Sequence, residues 1–271
     1  MPLLKESIRN AECHSDSHQR DCIRDVIISM KSDLAYPWTV DELSEISNSS
    51  VYHFIRVFKN KTGIPPAHFL CALRIEAAKA ALLLTDNTIT DICYSIGYNS
   101  LGTFSSRFTL LVGISPKQFR TEFAKFTPES RAEILKRRTE SLKKTTDSGL
   151  EEVLLKGVVN NQPRNDFITV IGFFPNSVPE CAPTHCAMTH EDGSFSLVAE
   201  QSISNGAICC LGLDLSKSLM DMFLYKHCLR ARMTNININQ LSTEGSMIKF
   251  NLEELVITDP PILTVLPLLL F

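Results

Sequence analysis

The sequence predicts a two-part α + β chain: an all-α first half of two tandem helix-turn-helix units, then a small antiparallel β-sandwich. Three observations predict it. A segment of the first half recurs about fifty residues later. Each copy carries helix-capping residues, a turn residue that tolerates left-handed backbone, and apolar residues at helical spacing. From about Leu150 the apolar pattern changes to short β-rich runs separated by turn signals. The predicted parts are residues 1–125, a charged linker over 126–150, and the sandwich over 151–271.

A chain of 271 residues is long enough for two domains, and 44% hydrophobic with 21% charged residues is the balance of an ordinary globular protein. The net charge of −3 is unevenly placed. Residues 1–125 hold 14 Lys and Arg against 13 Asp and Glu, residues 126–150 hold 6 against 4, and residues 151–271 hold 7 against 13. The acidity therefore belongs to the second half, and whole-chain charge says little about the first. Met1 to Asn10 mixes Lys5, Glu6 and Arg9, so no secretion leader is expected. No apolar run approaches the roughly 20 residues of a membrane helix. Nine cysteines without a leader are read as thiols rather than a disulfide framework. Together these features predict a cytoplasmic protein.

The first core begins with a helix from about Gln19 to Leu34, where Ile23, Val26, Ile27, Met30 and Leu34 fall at helical spacing. The repeat follows. Ser50, Phe54, Phe58, Gly63, Ile64, Pro66 and Phe69 return in register as Ser100, Phe104, Phe108, Gly113, Ile114, Pro116 and Phe119. Thr39 with Glu42, and Thr88 with Asp91, have capping-box spacing. Asn48 and Gly97 suit a left-handed turn, and Ser50 and Ser100 are placed to cap the next helix. Pro66 and Pro116 sit where proline opens a helix. Between the copies, Ala67 to Leu84 reads as one helix with Phe69, Leu70, Leu73, Ala77, Ala80, Ala81 and Leu84 on its apolar face. Such a rod is roughly 27 Å long.

The run from Trp38 to Arg120 resembles the DNA-binding domain of the AraC/XylS transcription regulators. The carrying residues are His53-Phe54, Arg56-Val-Phe58-Lys59, Gly63, Arg74-Ile-Glu-Ala-Ala78, Ile89-Thr-Asp-Ile92, Gly97-Tyr98, Phe104, Arg107-Phe108, Gly113, Pro116 and Arg120. The resemblance covers about a third of the chain. The sequence departs from the family in two ways. The module lies in the N-terminal half, whereas most members carry it last, and Pro65 replaces a small hydroxyl residue, removing a cap from the linking helix.

The resemblance implies double-stranded DNA as partner, with recognition helices over about 50–61 and 100–112 entering adjacent major grooves, roughly 34 Å apart. The first helix presents Val51, Tyr52, Ile55 and Arg56. Arg56 suits a bidentate contact to guanine or, on the alternative reading, a phosphate. His53 is expected to position the helix or touch the backbone. The second presents Leu101, Gly102, Thr103 and Ser106, and the Leu101–Gly102 side chains offer bases no directional hydrogen bond. That half-site is expected to be read by apolar contact and DNA shape. Ser105, Arg107 and the amides at the Ser100 and Ser115 helix starts are candidate phosphate partners. Arg74 and Glu76 are expected to be solvated or paired.

Thr127 to Ser148 reads as a basic connector, able to follow phosphates. Beyond it, Val153–Val159, Phe167–Phe174, Ser194–Val198, Ile208–Leu213 and Ile248–Leu252 read as strands. Turns are expected at Asn160-Asn161, Pro175-Asn176, Glu191-Asp-Gly193 and Asn205-Gly206. The Phe167–Leu213 segment resembles the carboxypeptidase-regulatory or transthyretin-like sandwich. Leu215 to Cys228 reads as a helix or loop with Met220, Met222 and Phe223 exposed, and Pro260 to Phe271 as a packed terminal strand. Cys181, His185, Cys186 and His190 lack a metal-site spacing, and half-buried strand alternation accounts for Cys186 and Met188; no metal or cofactor is expected. No catalytic constellation is recognisable, so an enzyme is not expected.

The reading is a sequence-specific transcription regulator, an activator by resemblance, with RNA polymerase as an implied partner and the nucleoid as its place when bound. Two roles for the second half are open: self-association as a homodimer or docking, or a pocket for a small-molecule effector. The alternative is an interaction or sensor module with weak, architectural DNA binding, which the Leu101–Gly102 pair favours.

Overall fold

The computed structural model describes residues 22–125, 152–163, 167–175, 178–200, 205–237 and 247–265. The basic connector, the start of the first predicted helix and the chain end after Val265 lie outside the described residues.

Among the described residues, seven helices build the first half: α1 (residues 22–32), α2 (Val40–Ile46), α3 (Val51–Thr62), α4 (Pro66–Leu84), α5 (Ile89–Ser95), α6 (Leu101–Val112) and α7 (Pro116–Ala124). The caps follow the repeat. Thr39 N–H donates to Glu42 Oε2 (2.8 Å) and Glu42 N–H to Thr39 Oγ1 (3.2 Å). Thr88 and Asp91 repeat the exchange at 3.3 and 3.1 Å. Asn48 (φ 50°) and Gly97 (φ 85°) make the left-handed turns. A Cβ on Gly97 would lie 2.8 Å from the carbonyl oxygens of Leu34 and Ala35, so packing as well as φ requires glycine there. Ser100 caps α6 through Thr103 N–H, but Ser50, though in the N-cap position, makes no side-chain cap bond. Pro65 likewise leaves α4 without the side-chain cap that Ser115 gives α7.

Each unit has its own core. Ile23, Val26, Ile27 and Met30 of α1 close over Leu43, Phe54, Phe58 and Phe69; Ile92, Cys93, Phe104, Phe108, Leu111 and Phe119 form the second. The linking helix serves both, giving Phe69, Leu70 and Leu73 to one and Ala72, Ile75, Ala78 and Leu82 to the other. A one-sided stripe therefore misplaces its outer end. Ala77, Ala80 and Ala81 are only half-buried and Leu84 is exposed, because a helix between two cores is apolar nearly all round.

The second half is β-rich. Strands β4 (Ser194–Glu200), β1 (Glu152–Asn160) and β7 (Ile248–Asn251) form one sheet. Strands β3 (His185–Met188), β2 (Phe167–Phe174), β5 (Asn205–Asp214), β6 (Leu229–Asn237) and β8 (Glu253–Glu254) form the other. All pairs run antiparallel except β1 with β7, which is parallel. Val153, Leu155, Phe195, Leu197 and Phe250 of the first sheet share a core with Ile171, Phe173, Ile208 and Cys210 of the second. The opposite face of the larger sheet (Ile168, Val170, Leu211, Leu213) is covered by Leu215, Met222, Tyr225 and Ile262. Covering on both faces explains why β2 is buried throughout.

Three expectations are corrected here. Met222 and Phe223 are buried, not exposed: the short helix α8 (Leu219–Phe223), capped by Ser218, turns Met222 onto the sheet and Phe223 onto Phe119 and Phe123. Asn205-Gly206 is strand rather than turn; a Cβ on Gly206 would lie 2.4 Å from the Phe173 ring, so glycine answers packing there. The described part of the terminal strand, residues 260–265, is irregular, since Pro260 and Pro261 bring no N–H to a ladder. Its Ile262, Leu263 and Val265 are nonetheless buried, the last two within the core of the second helix-turn-helix unit. Among the described residues, no helix is long and apolar enough to cross a membrane.

Candidate nucleic-acid interface

Burying Phe54 and Phe58 on one side of α3 leaves the positions between them facing outward. Tyr52 is 80% exposed, Ile55 and Arg56 are exposed, and Val51 and His53 are half-buried. Arg56 Nη2 donates to His53 Nδ1 at 3.2 Å, one helical turn back. His53 thus accepts a hydrogen bond from the guanidinium one turn further along the helix. No acidic residue occupies the first turn of α3, and Lys59 and Lys61 lie in its last. The outer face of α3 is aromatic, apolar and cationic.

The matching face of α6 is plainer. Ser100, Leu101, Gly102, Thr103, Ser106 and Arg107 are all exposed. By repeat position Gly102 stands where α3 has Tyr52, and Ser106 where it has Arg56. The remaining cation, Arg107, borders a cavity between α6, α4 and the residues Pro175 and Glu180 to Thr184 rather than the outermost face.

The frame under these helices is fixed by two arginines. Arg74 donates from Nε to Leu34 O and from Nη2 to Tyr36 O, both at 2.8 Å, tying α4 to the loop before α2. Arg120 donates to Leu82 O (3.2 Å) and Asn87 O (2.8 Å), tying α7 to the loop before α5. An arginine bridging two carbonyls needs no carboxylate partner, so pairwise charge patterns do not reveal it. Glu76 is half-buried, and its carboxyl is pushed up by that burial.

The β-rich half meets both candidate reading helices at their C-terminal ends. At α3, a Cβ on the capping Gly63 would lie 3.1 Å from Arg232 Nη1. At α6, Cys181 N–H donates to Leu111 O (2.7 Å) and its thiol to Leu110 O, occupying carbonyls a helix end leaves open. His68 Nε2 contacts Glu180 Oε1 at 2.5 Å, and the hydrogen bond to that carboxylate holds the imidazole above its ordinary value. Lys79 is fully buried on α4, its Nζ donating to Ile262 O (3.1 Å) and Leu263 O (3.3 Å), 4.9 Å from the Tyr225 ring. Burial pushes its ammonium down to about 7. Of the four residues weighed as metal ligands, Cys181 faces Leu110 and His185 Nδ1 contacts Thr184 Oγ1. Among the described residues no three His, Cys, Asp or Glu side chains converge.

Residues 43–122 match the family described as a helix-turn-helix domain. They form a helix-turn-helix domain. An uncharacterized HTH-type transcriptional regulator of Staphylococcus aureus (strain MSSA476) is 39% identical over 82 residues, 30% of this chain and 11% of that protein. An HTH-type transcriptional regulator of Mycobacterium tuberculosis is 35% identical over 85 residues, 31% of this chain and 33% of that protein. The chain thus spans a third or less of the length of these relatives. Among solved structures, the C-terminal domain of AraT, a response regulator from Geobacillus stearothermophilus, is 28% identical with a TM-score of 0.36, covering 37% of this chain and 84% of that one. The DNA-binding domain of AdpA, solved with a target DNA, is 23% identical with a TM-score of 0.36, covering 37% and 91%.

Proposed function

We propose that the chain is a sequence-specific, DNA-binding transcription regulator in which α3 and α6 enter adjacent major grooves of double-stranded DNA. The observation that carries this reading is the outward face of α3, where Tyr52, Ile55 and Arg56 stand clear of the core and His53 orients the arginine. Arg56 is the principal base reader, with Tyr52 and Val51 against thymine methyls or phosphate. The second helix contributes Leu101, Gly102 and Thr103 to shape readout, with Ser106 and the Ser100 amide toward phosphates. At 19 residues α4 is about 28 Å long, a rod of the length needed to space two such helices. The division into 1–125, 126–150 and 151–271, the transthyretin-like likeness of the β part and its regulatory or dimerising role belong to this proposal. So do activation through RNA polymerase, a small-molecule effector and a place on the nucleoid.

Selection from a genomic DNA pool tests it. The expected result is an enriched motif spanning about two helical turns, with preference at one position relaxed by Arg56→Ala. Enrichment that Arg56→Ala leaves intact would remove Arg56 as base reader. Binding without any motif would favour the architectural reading, for which the bare Leu101–Gly102 surface speaks.

A further inference from the structure

The cavity between the two halves has a volume of about 600 Å³, within the range of small-molecule sites (about 300–1,000 Å³). One wall comes from α4 (Ala67, His68), one from α6 (Arg107, Leu111) and one from the segment around Pro175 and Glu180. Most of its surface is apolar. Two kinds of charge interrupt it. Glu180 is 8% exposed, and its carboxylate is already answered by His68 at 2.5 Å. Arg107 is not so answered: among the described residues no carboxylate pairs with it. An apolar hollow with a neutralised acid and one unspent guanidinium is complementary to a molecule with an apolar body and a single negative charge, since Arg forks onto a carboxylate.

We propose that this cavity binds a small apolar monocarboxylate, its carboxylate on Arg107 and its body against Ala67, Leu111 and Pro175. The three walls belong to the linking helix, the second reading helix and the β-rich half, so an occupant touches every part that would have to shift together. In calling that occupant an effector the inference rests on the regulator reading; the binding site itself does not.

Titration of the full chain with anilinonaphthalene sulfonate, an aromatic anion, and with phenylnaphthylamine, the same rings without the charge, tests the site. Saturable fluorescence from both is expected, with decanoate displacing them. Arg107→Gln should weaken the sulfonate about tenfold, the weight of one charge-assisted hydrogen bond, and spare the neutral probe. Ala67→Trp, which fills the hollow from the exposed side of α4, should abolish both. Circular dichroism and melting temperature establish that each variant folds, and Thr184→Trp on the opposite wall replaces Ala67→Trp if that variant does not. Probe affinities unmoved by the tryptophan, or an arginine variant that weakens both probes alike, would overturn the proposal. A chain that binds the anion as expected but enriches no DNA motif upholds the site and removes the regulator reading instead.

Discussion

In the first helix-turn-helix unit Phe54 and Phe58 meet edge to face at 5.6 Å and 66°; in the second Phe104 and Phe108 meet at 5.8 Å and 65°. A third ring follows in each, Phe58–Phe69 at 5.4 Å and Phe108–Phe119 at 5.8 Å. The interiors are near copies. Their outward faces are not, since one shows Tyr52 and Arg56 where the other shows Gly102 and Ser106. Packing ties each buried ring to several neighbours at once, so interior positions resist change, whereas a solvent-facing position answers only to what it touches outside. The two copies therefore share a frame and have parted in what they can recognise.

The largest test is of the shared interior. Phe58→Ala and Phe108→Ala should each cost about 3–5 kcal/mol in urea unfolding, and by similar amounts. A large inequality would show that the β-rich half, which gives Phe223, Leu263 and Val265 to the second core and Val178 to the first, relieves the damage unequally. Next in size is the divergence. Arg56→Ala should remove about 1–3 kcal/mol of discrimination at one base pair, while Ser106→Ala removes much less. Conversely, Ser106→Arg should add preference at the second half-site, read by the same motif selection.

Helix caps give a smaller contrast. Thr39→Ala and Thr88→Ala should each cost about 0.5–2 kcal/mol, because both boxes are closed. Ser50→Ala should cost close to nothing and Ser100→Ala a measurable fraction, since only Ser100 makes its bond. Equal losses at the two serines would contradict the difference between the caps. The smallest expected effect concerns a contact that α4 alone makes to Glu180. The His68 imidazole is raised above 6.5 by that carboxylate, so the stability it contributes is full below that value and fades as pH rises through the raised one. Wild type and Glu180→Gln should differ most in melting temperature near pH 6 and converge toward higher pH.

Much of this comparison was legible in the sequence because repetition doubles every signal. Caps, turn residues and rings each occurred twice, at offsets of 49 or 50 residues, and the five strands predicted between residues 153 and 252 formed. What stayed hidden had particular causes. The strand Leu229–Asn237 opens with Leu-Arg-Ala-Arg-Met, residues that favour helices, so composition masked a strict alternation. Leu229, Ala231 and Met233 face the core, while Arg230 faces away and pairs with Asp259. That alternation was the signal available. Arg74 and Arg120 grip backbone carbonyls, and Lys79 is buried under carbonyls of residues more than 180 positions away; no local pattern marks such partners. Nor does repetition foretell that Arg107 borders a cavity, because the opposite wall comes from outside the repeat.

The bonds from Cys181 to the last carbonyls of α6 bear on how such a unit travels between proteins. A helix whose end is completed by a residue some seventy positions downstream is not self-contained, whereas α3 ends beside the guanidinium of Arg232. Grafted onto another chain, the first copy would carry its ends with it. The second would arrive with a frayed final turn, and its new host would have to supply the missing stopper.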